Sequence, residues 1–146
     1  MTDLQSLSFF YNYISSTIPT NMGNLTSLLT LDISDNYLSG TVPYSIGDLS
    51  QLSLLRLDYN SMTSSLPRSM ETLTKLQQLF IASNQLTGTF PESLTKLYQL
   101  ANINMDHNQF NSSIPSEISQ LSHLYALRCS NNCLSGSLPS SIGLLS

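Results

Sequence analysis

Residues 25–48 read LTSLLTLDISDNYLSGTVPYSIGD, and the chain is built from near-copies of this stretch. Leu25, Leu28, Leu31, Ile33, Leu38, Val42 and Ile46 are its apolar positions, with Asn36, Gly40, Pro43 and Gly47 at fixed places between them. The same places in residues 73–96 hold Leu73, Leu76, Leu79, Ile81, Leu86, Phe90 and Leu94, with Asn84, Gly88 and Pro91. All six prolines, Pro19, Pro43, Pro67, Pro91, Pro115 and Pro139, are spaced by 24 residues. Seven residues before each stands an asparagine: Asn12, Asn36, Asn60, Asn84, Asn108 and Asn132. A fixed period of this length signals a solenoid.

Local physics gives each piece a role. The Leu31-Asp-Ile33 segment alternates, so it reads as a short strand with its aliphatic residues inward. One strand cannot bury its apolar face alone. Stacked coils form a parallel sheet over one continuous leucine core. Each asparagine follows the strand where the chain turns. Its amide carries donors and an acceptor, so a stacked ladder of asparagines can satisfy turn backbone in neighbouring coils. Proline fixes φ and suppresses regular pairing on the outer, convex path.

The coil pattern, LxxLxxLxLxxNxLxGx[IVLF]Pxx[LIM], resembles the plant-type leucine-rich repeat over the whole chain. That resemblance implies an α/β-type solenoid: a right-handed superhelix with a concave parallel β-sheet. It has one domain of six repeats, 1–24, 25–48, 49–72, 73–96, 97–120 and 121–144. Three coils depart from the pattern, with Glu71, Thr95 and Ser119 where Gly23, Gly47 and Gly143 stand in others. Met1 and Leu145 both fall in the first leucine place of a coil, and the paired cysteines of plant-type caps are missing. The array is therefore expected to be uncapped, a piece of a longer one, and prone to self-association alone.

The 146 residues carry a net charge of −4, with 40% hydrophobic and 10% charged residues. Disorder needs the opposite balance. The five basic residues are scattered from Arg56 to Arg128, so neither a nucleic-acid footprint nor a polybasic membrane patch is present. No apolar run has the length of a signal peptide core or a membrane span. Any membrane attachment is expected through segments absent from this chain. Cys129 and Cys133 are four apart, too far for a bridge along a strand, and are expected as free thiols. Cys129 takes an inward place.

The outward strand places mark where recognition is expected. Four residues before each asparagine stand Ser8, Asp32, Arg56, Phe80, Asn104 and Arg128. Two before it come Phe10, Ser34, Asp58, Ala82, Asp106 and Ser130. Immediately before it come Tyr11, Asp35, Tyr59, Ser83, His107 and Asn131. With rungs about 4.8 Å apart, Asp32, Arg56 and Phe80 should touch in sequence, with Asp58 and Tyr59 beside Arg56. Mixed aromatic and charged patches supply binding hot spots. The plainer reading is a solvated ladder with Arg56 neutralised by two aspartates. The expected ligand-binding set is Asp32, Arg56, Asp58, Tyr59, Phe80, Asn104, His107 and Arg128.

Asp106 and His107 point differently and have no nucleophile beside them, so no catalytic site is expected. No metal-ligand spacing occurs and no cofactor is expected. Ser15, Ser39, Thr63, Thr87, Asn111 and Ser135 form a second column, with a parallel one from Thr17 to Ser137. Regular small hydroxyls on a flat face suit ice, and some plant-type repeats are similar to ice-growth inhibitors. Asn24-Leu-Thr26 and Asn111-Ser-Ser113 match the glycosylation acceptor pattern.

The resemblance implies a protein- or peptide-binding recognition module, from the extracellular region of a cell-surface receptor-like protein. A protist surface antigen or adhesion protein is the alternative, followed by an inhibitor of secreted enzymes and an ice-binding protein. An enzyme is not expected.

Overall fold

The computed structural model describes residues 3–145. Each coil contributes a strand, a turn at the asparagine, a second strand and a short 3₁₀-helix. The first strands are β1 (Ser6–Ser8), β3 (Thr30–Asp32), β5 (Leu54–Arg56), β7 (Gln78–Phe80), β9 (Asn102–Asn104) and β11 (Ala126–Arg128). They form one parallel six-stranded sheet in that order. Its register equals the repeat: Leu7 pairs with Leu31, and Leu31 with Leu55.

The second strands form a second parallel six-stranded sheet, which the repeat pattern did not announce. They are β2 (Ser15–Ser16), β4 (Tyr37–Gly40), β6 (Ser61–Ser64), β8 (Gln85–Thr89), β10 (Gln109–Ser112) and β12 (Cys133–Leu134). Here the register slips, with Ser39 opposite Ser61 and Thr63 opposite Gln85. Pairing stops before each proline, which lacks the N–H to extend it.

The helical element of the coil is 3₁₀ throughout the described residues. Each begins after a proline at φ near −70° and extended ψ, as Pro43 at −69° and 148°. Tyr44–Asp48 is typical: the Ile46 amide donates to the Pro43 carbonyl, and the Leu49 amide to Ile46. At five residues each run is slightly longer than this tight geometry usually sustains. Gly23 and Gly47 let neighbouring 3₁₀ segments approach. A Cβ at Gly47 would collide with the carbonyl oxygen and the Cβ of Ser69. The Ser69 and Ser45 hydroxyls cross the same seam, donating to the Tyr44 and Thr20 carbonyls.

Leucine, isoleucine, methionine and phenylalanine fill the space between sheets and 3₁₀ layer. Leu31, Leu55, Leu79 and Ile103 form an unbroken inward column, each fully buried. Phe110 is the largest fully buried side chain. The core thins in the last coil. Leu138 is 72% exposed, whereas Val42, Leu66 and Phe90, at the equivalent position, are 3%, 8% and 2% exposed.

The asparagines bridge coils. Asn84 Oδ1 accepts the Met62 amide at 2.9 Å, and its Nδ2 donates to the Leu57 carbonyl at 3.0 Å and the Ala82 carbonyl at 3.2 Å. Asn36, Asn60, Asn108 and Asn132 repeat this arrangement. Asn12 donates only within its own coil. The residue before each asparagine is left-handed, from Tyr11 at φ 55° to Asn131 at φ 54°. A second left-handed position falls at or near the end of the second strand, where Gly40, Gly88 and Gly136 alternate with Ser16, Ser64 and Ser112. The serines accept a conformation that L-residues normally avoid.

Candidate functional site

The exact repeat register stacks β3, β5 and β7 so that Asp32, Arg56 and Phe80 are lateral neighbours. Arg56 Nη1 lies 3.8 Å from Asp32 Oδ2, and Arg56 Nε lies 3.6 Å from Asp58 Oδ2. On the other side the guanidinium carbon stands 5.2 Å from the centroid of the Phe80 ring, in cation–π range. Arg56 therefore lies between two carboxylates and an aromatic face.

The two aspartates differ. Asp32 receives the amide and the hydroxyl of Ser34. Asp58 is 4% exposed, and its Oδ1 accepts the Ala82 amide at 3.2 Å. Burial raises the Asp58 pKa, and the Ala82 amide and the Arg56 charge offset part of that rise. Neither Arg56 Nε nor Asp58 Oδ2 has a hydrogen-bond partner, although both are buried. Their 3.6 Å separation is an ion pair without a hydrogen bond.

The sheet continues to Asn104, whose Oδ1 accepts the Asp106 amide at 3.1 Å, and to exposed Arg128. Asp106 Oδ1 accepts the Ser130 amide, whereas His107 Nε2 contacts Asn131 Nδ2 at 3.2 Å. Asp106 and His107 thus engage different partners. Cys129 packs against the core, and burial, then the Asp106 charge, raise its thiol pKa. Cys133 is exposed, and neither thiol is bridged.

Tyr59 belongs to a different surface. It lines an open groove of about 290 Å³ with Tyr11, Asn12, Tyr13, Asp35, Asn36 and Tyr37. The groove runs over the asparagine turns of the first three coils, at the rim between the two sheets. Tyr13 and Tyr37 are stacked, with ring centroids 6.1 Å apart and planes 19° from parallel. The sequence sets Tyr59 beside Arg56, and the structure also groups it with Tyr11, Tyr13 and Tyr37 along this groove. The column immediately before the asparagines is left-handed throughout, so it departs from the alternation of the strand before it. The signal was available: Tyr11, Tyr13, Tyr37 and Tyr59 all flank an asparagine.

The hydroxyl column lies on the second sheet, where Ser39 Oγ and Thr63 Oγ1 donate to the Ser16 and Gly40 carbonyls. Asn24 and Asn111 are exposed. His123 is exposed on the convex path, with Nδ1 2.9 Å from the Tyr98 carbonyl. Among the described residues no cluster of three or more potential metal ligands occurs, and no helix is long and apolar enough to cross a membrane.

Comparison with known proteins gives this geometry a family. A model of the leucine-rich repeat region matches residues 1–113, and a leucine-rich repeat model matches residues 123–145. Among solved structures, the plant peptide hormone receptor RGFR1 in complex with RGF2 superposes with a TM-score of 0.96 at 36% identity. That match covers 99% of this chain and 23% of the receptor chain. The ectodomain of the Arabidopsis thaliana membrane receptor kinase GASSHO1/SCHENGEN3, in complex with CASPARIAN STRIP INTEGRITY FACTOR 2, gives a TM-score of 0.96 at 38% identity. It covers 98% of this chain and 17% of that one. The ectodomain of the Arabidopsis thaliana receptor kinase SOBIR1 gives a TM-score of 0.84 at 30% identity, over 89% of this chain and 72% of its own. The chain thus spans under a quarter of the first two receptor chains. No curated protein matches it significantly. The chain belongs to the leucine-rich repeat family, in the plant-type form seen in receptor-kinase ectodomains.

Proposed function

We propose that this chain is a peptide-recognition module from the extracellular part of a cell-surface receptor-like protein, binding its ligand across the concave sheet. The observation that carries this reading is the contiguous row of Asp32, Arg56 and Phe80, with Asp58 beneath Arg56. A partly exposed guanidinium held between carboxylates over an aromatic ring is preorganised, which lowers the ordering cost of binding. Asn104 and Arg128 extend the row along the strand face with hydrogen-bonding and cationic groups, and His107 stands beside it in the left-handed column. A strand-like peptide laid across the rungs would meet all of them. The leucine core, asparagine ladder and 3₁₀ seam act as the rigid support. Two solved structures that superpose on this chain are receptors captured with RGF2 and CASPARIAN STRIP INTEGRITY FACTOR 2, which favours a peptide as ligand. Membrane attachment would come from segments outside this chain, and Asn24 and Asn111 would accept glycans.

The test is selection of a displayed random-peptide library on the chain, followed by calorimetry of the retained peptides. Binding reduced at least about tenfold by Phe80→Ala, with the melting curve kept, supports the reading. Retained peptides indifferent to Phe80, Asn104 and Arg128 overturn it.

A further inference from the structure

The groove over the first three asparagine turns has features that the scaffold does not explain. Tyr11 and Tyr59 adopt φ of 55° and 51°. A bulky residue is an outlier there, and Asp35, His107 and Asn131 show the types that the position tolerates. Neither tyrosine recovers that strain by burial, since Tyr11 is 76% and Tyr59 59% exposed. Tyr13 and Tyr37 are likewise 86% and 60% exposed. Stability alone would replace Tyr11 and Tyr59.

The four tyrosines line the groove together with one carboxylate, that of Asp35. Asp35 lies between Tyr11 and Tyr59 in the left-handed column and takes part in none of the three ion pairs among the described residues. The Asn36 amide beneath is occupied: its Oδ1 accepts the Ile14 amide, and its Nδ2 donates to the Phe9 and Ser34 carbonyls. Asn36 therefore offers the groove no free amide group, the Nδ2 of Asn12 is likewise engaged with the Phe9 and Phe10 carbonyls, and the groove offers aromatic faces and a negative charge. The first two coils, which supply six of the seven lining residues, carry acidic but no basic side chains. Asp3, Asp32, Asp35 and Asp48 precede Arg56, and no lysine or arginine does.

Aromatic faces attract cations, and a carboxylate beside them adds direct charge complementarity. We propose that this groove captures the side chain of an arginine or lysine from a peptide ligand. It would be a second anchoring point at the rim, separate from the Arg56 row. The proposal rests on the peptide-recognition reading for the identity of the ligand and on the groove's own geometry for its chemistry.

The test is a titration of the intact chain with N-acetyl-arginine methylamide, N-acetyl-lysine methylamide, neutral N-acetyl-citrulline methylamide and cellotriose, read on the tyrosine ring resonances. The proposal expects saturable shifts of the groove tyrosines with the two cations, weakened by salt, and none with citrulline or cellotriose. Asp35→Asn and Tyr37→Ser should each lower the affinity about fivefold or more. Tyr59→Asn should do the same while leaving the melting temperature unchanged or higher, because asparagine suits the left-handed turn. Equal binding of citrulline, binding of cellotriose alone, or shifts confined to other tyrosines would overturn the proposal. If the cations fail here while library peptides still depend on Phe80, the groove proposal falls alone. If the cations bind and no peptide depends on the concave row, the concave reading falls alone.

Discussion

The guanidinium of Arg56 sits 5.2 Å from the ring centroid of Phe80, one rung along the concave sheet. This contact separates two substitutions that look equivalent in the sequence. Phe80 is half-buried with no hydrogen-bonding duty, so Phe80→Ala should cost about 1 kcal/mol or less of folding stability. Arg56 faces buried Asp58, so Arg56→Ala leaves an uncompensated carboxylate and should cost about 1–3 kcal/mol. Chemical denaturation of the two variants checks the ordering; a larger loss for Phe80→Ala would contradict it.

Asn84 should be among the most sensitive positions in the scaffold. Asn84→Ala orphans the buried Met62 amide, leaves the Leu57 carbonyl with Asn60 as its one side-chain donor, and should cost about 1–3 kcal/mol. Asn12→Ala removes only bonds within an exposed turn and should cost about 1 kcal/mol or less. Equal midpoints for both variants would mean that the ladder does not tie coils together.

The 3₁₀ seam makes a similar contrast between two glycines. Gly47→Ala puts a methyl group into the Ser69 backbone and should lower stability by about 1–3 kcal/mol. Gly143→Ala meets no atom within 4 Å and should be neutral. Thermal melts read both, and a neutral Gly47→Ala would show that the seam opens freely.

Asp58 supplies a pH signature. Its folded-state pKa is raised above the ordinary 3.8. The folded chain then holds the proton more tightly than the unfolded chain, so ionising Asp58 costs stability. Wild-type stability relative to Asp58→Asn should fall as pH rises from 3.8 through the raised value, then level off. Denaturation midpoints of the two proteins across that window give the difference. A difference that climbs with pH would mean that Arg56 and the Ala82 amide outweigh the burial. Glu71 acts in the opposite sense, because Lys96, 2.6 Å away, lowers its pKa. It is present in both proteins and cancels.

The repeat made the inward column and the asparagine ladder legible because both follow from period and polarity alone. Leu31, Leu55 and Leu79 had to stack, and an asparagine at a buried turn had to find backbone partners. The lateral neighbours of Arg56 followed from the same register. The second sheet was hidden because residues such as Ser61-Met-Thr-Ser64 carry little strand signal; their pairing comes from the solenoid holding them side by side. The tyrosine groove was hidden by a conformational detail. Alternation along the strand says nothing of a left-handed residue, and the groove that Tyr59 lines with Tyr11 and Tyr37 depends on that turn.

Recognition is proposed to take place on the concave sheet. A library-selected peptide should be measured by calorimetry against Asp32→Ala, Phe80→Ala, Asn104→Ala and Arg128→Ala, with exposed Tyr98→Ala and Tyr125→Ala as outside controls. Losses of about tenfold or more should cluster at the concave positions, with unchanged affinity for both controls. Full affinity at all four concave variants, or losses confined to Tyr98 and Tyr125, would contradict it.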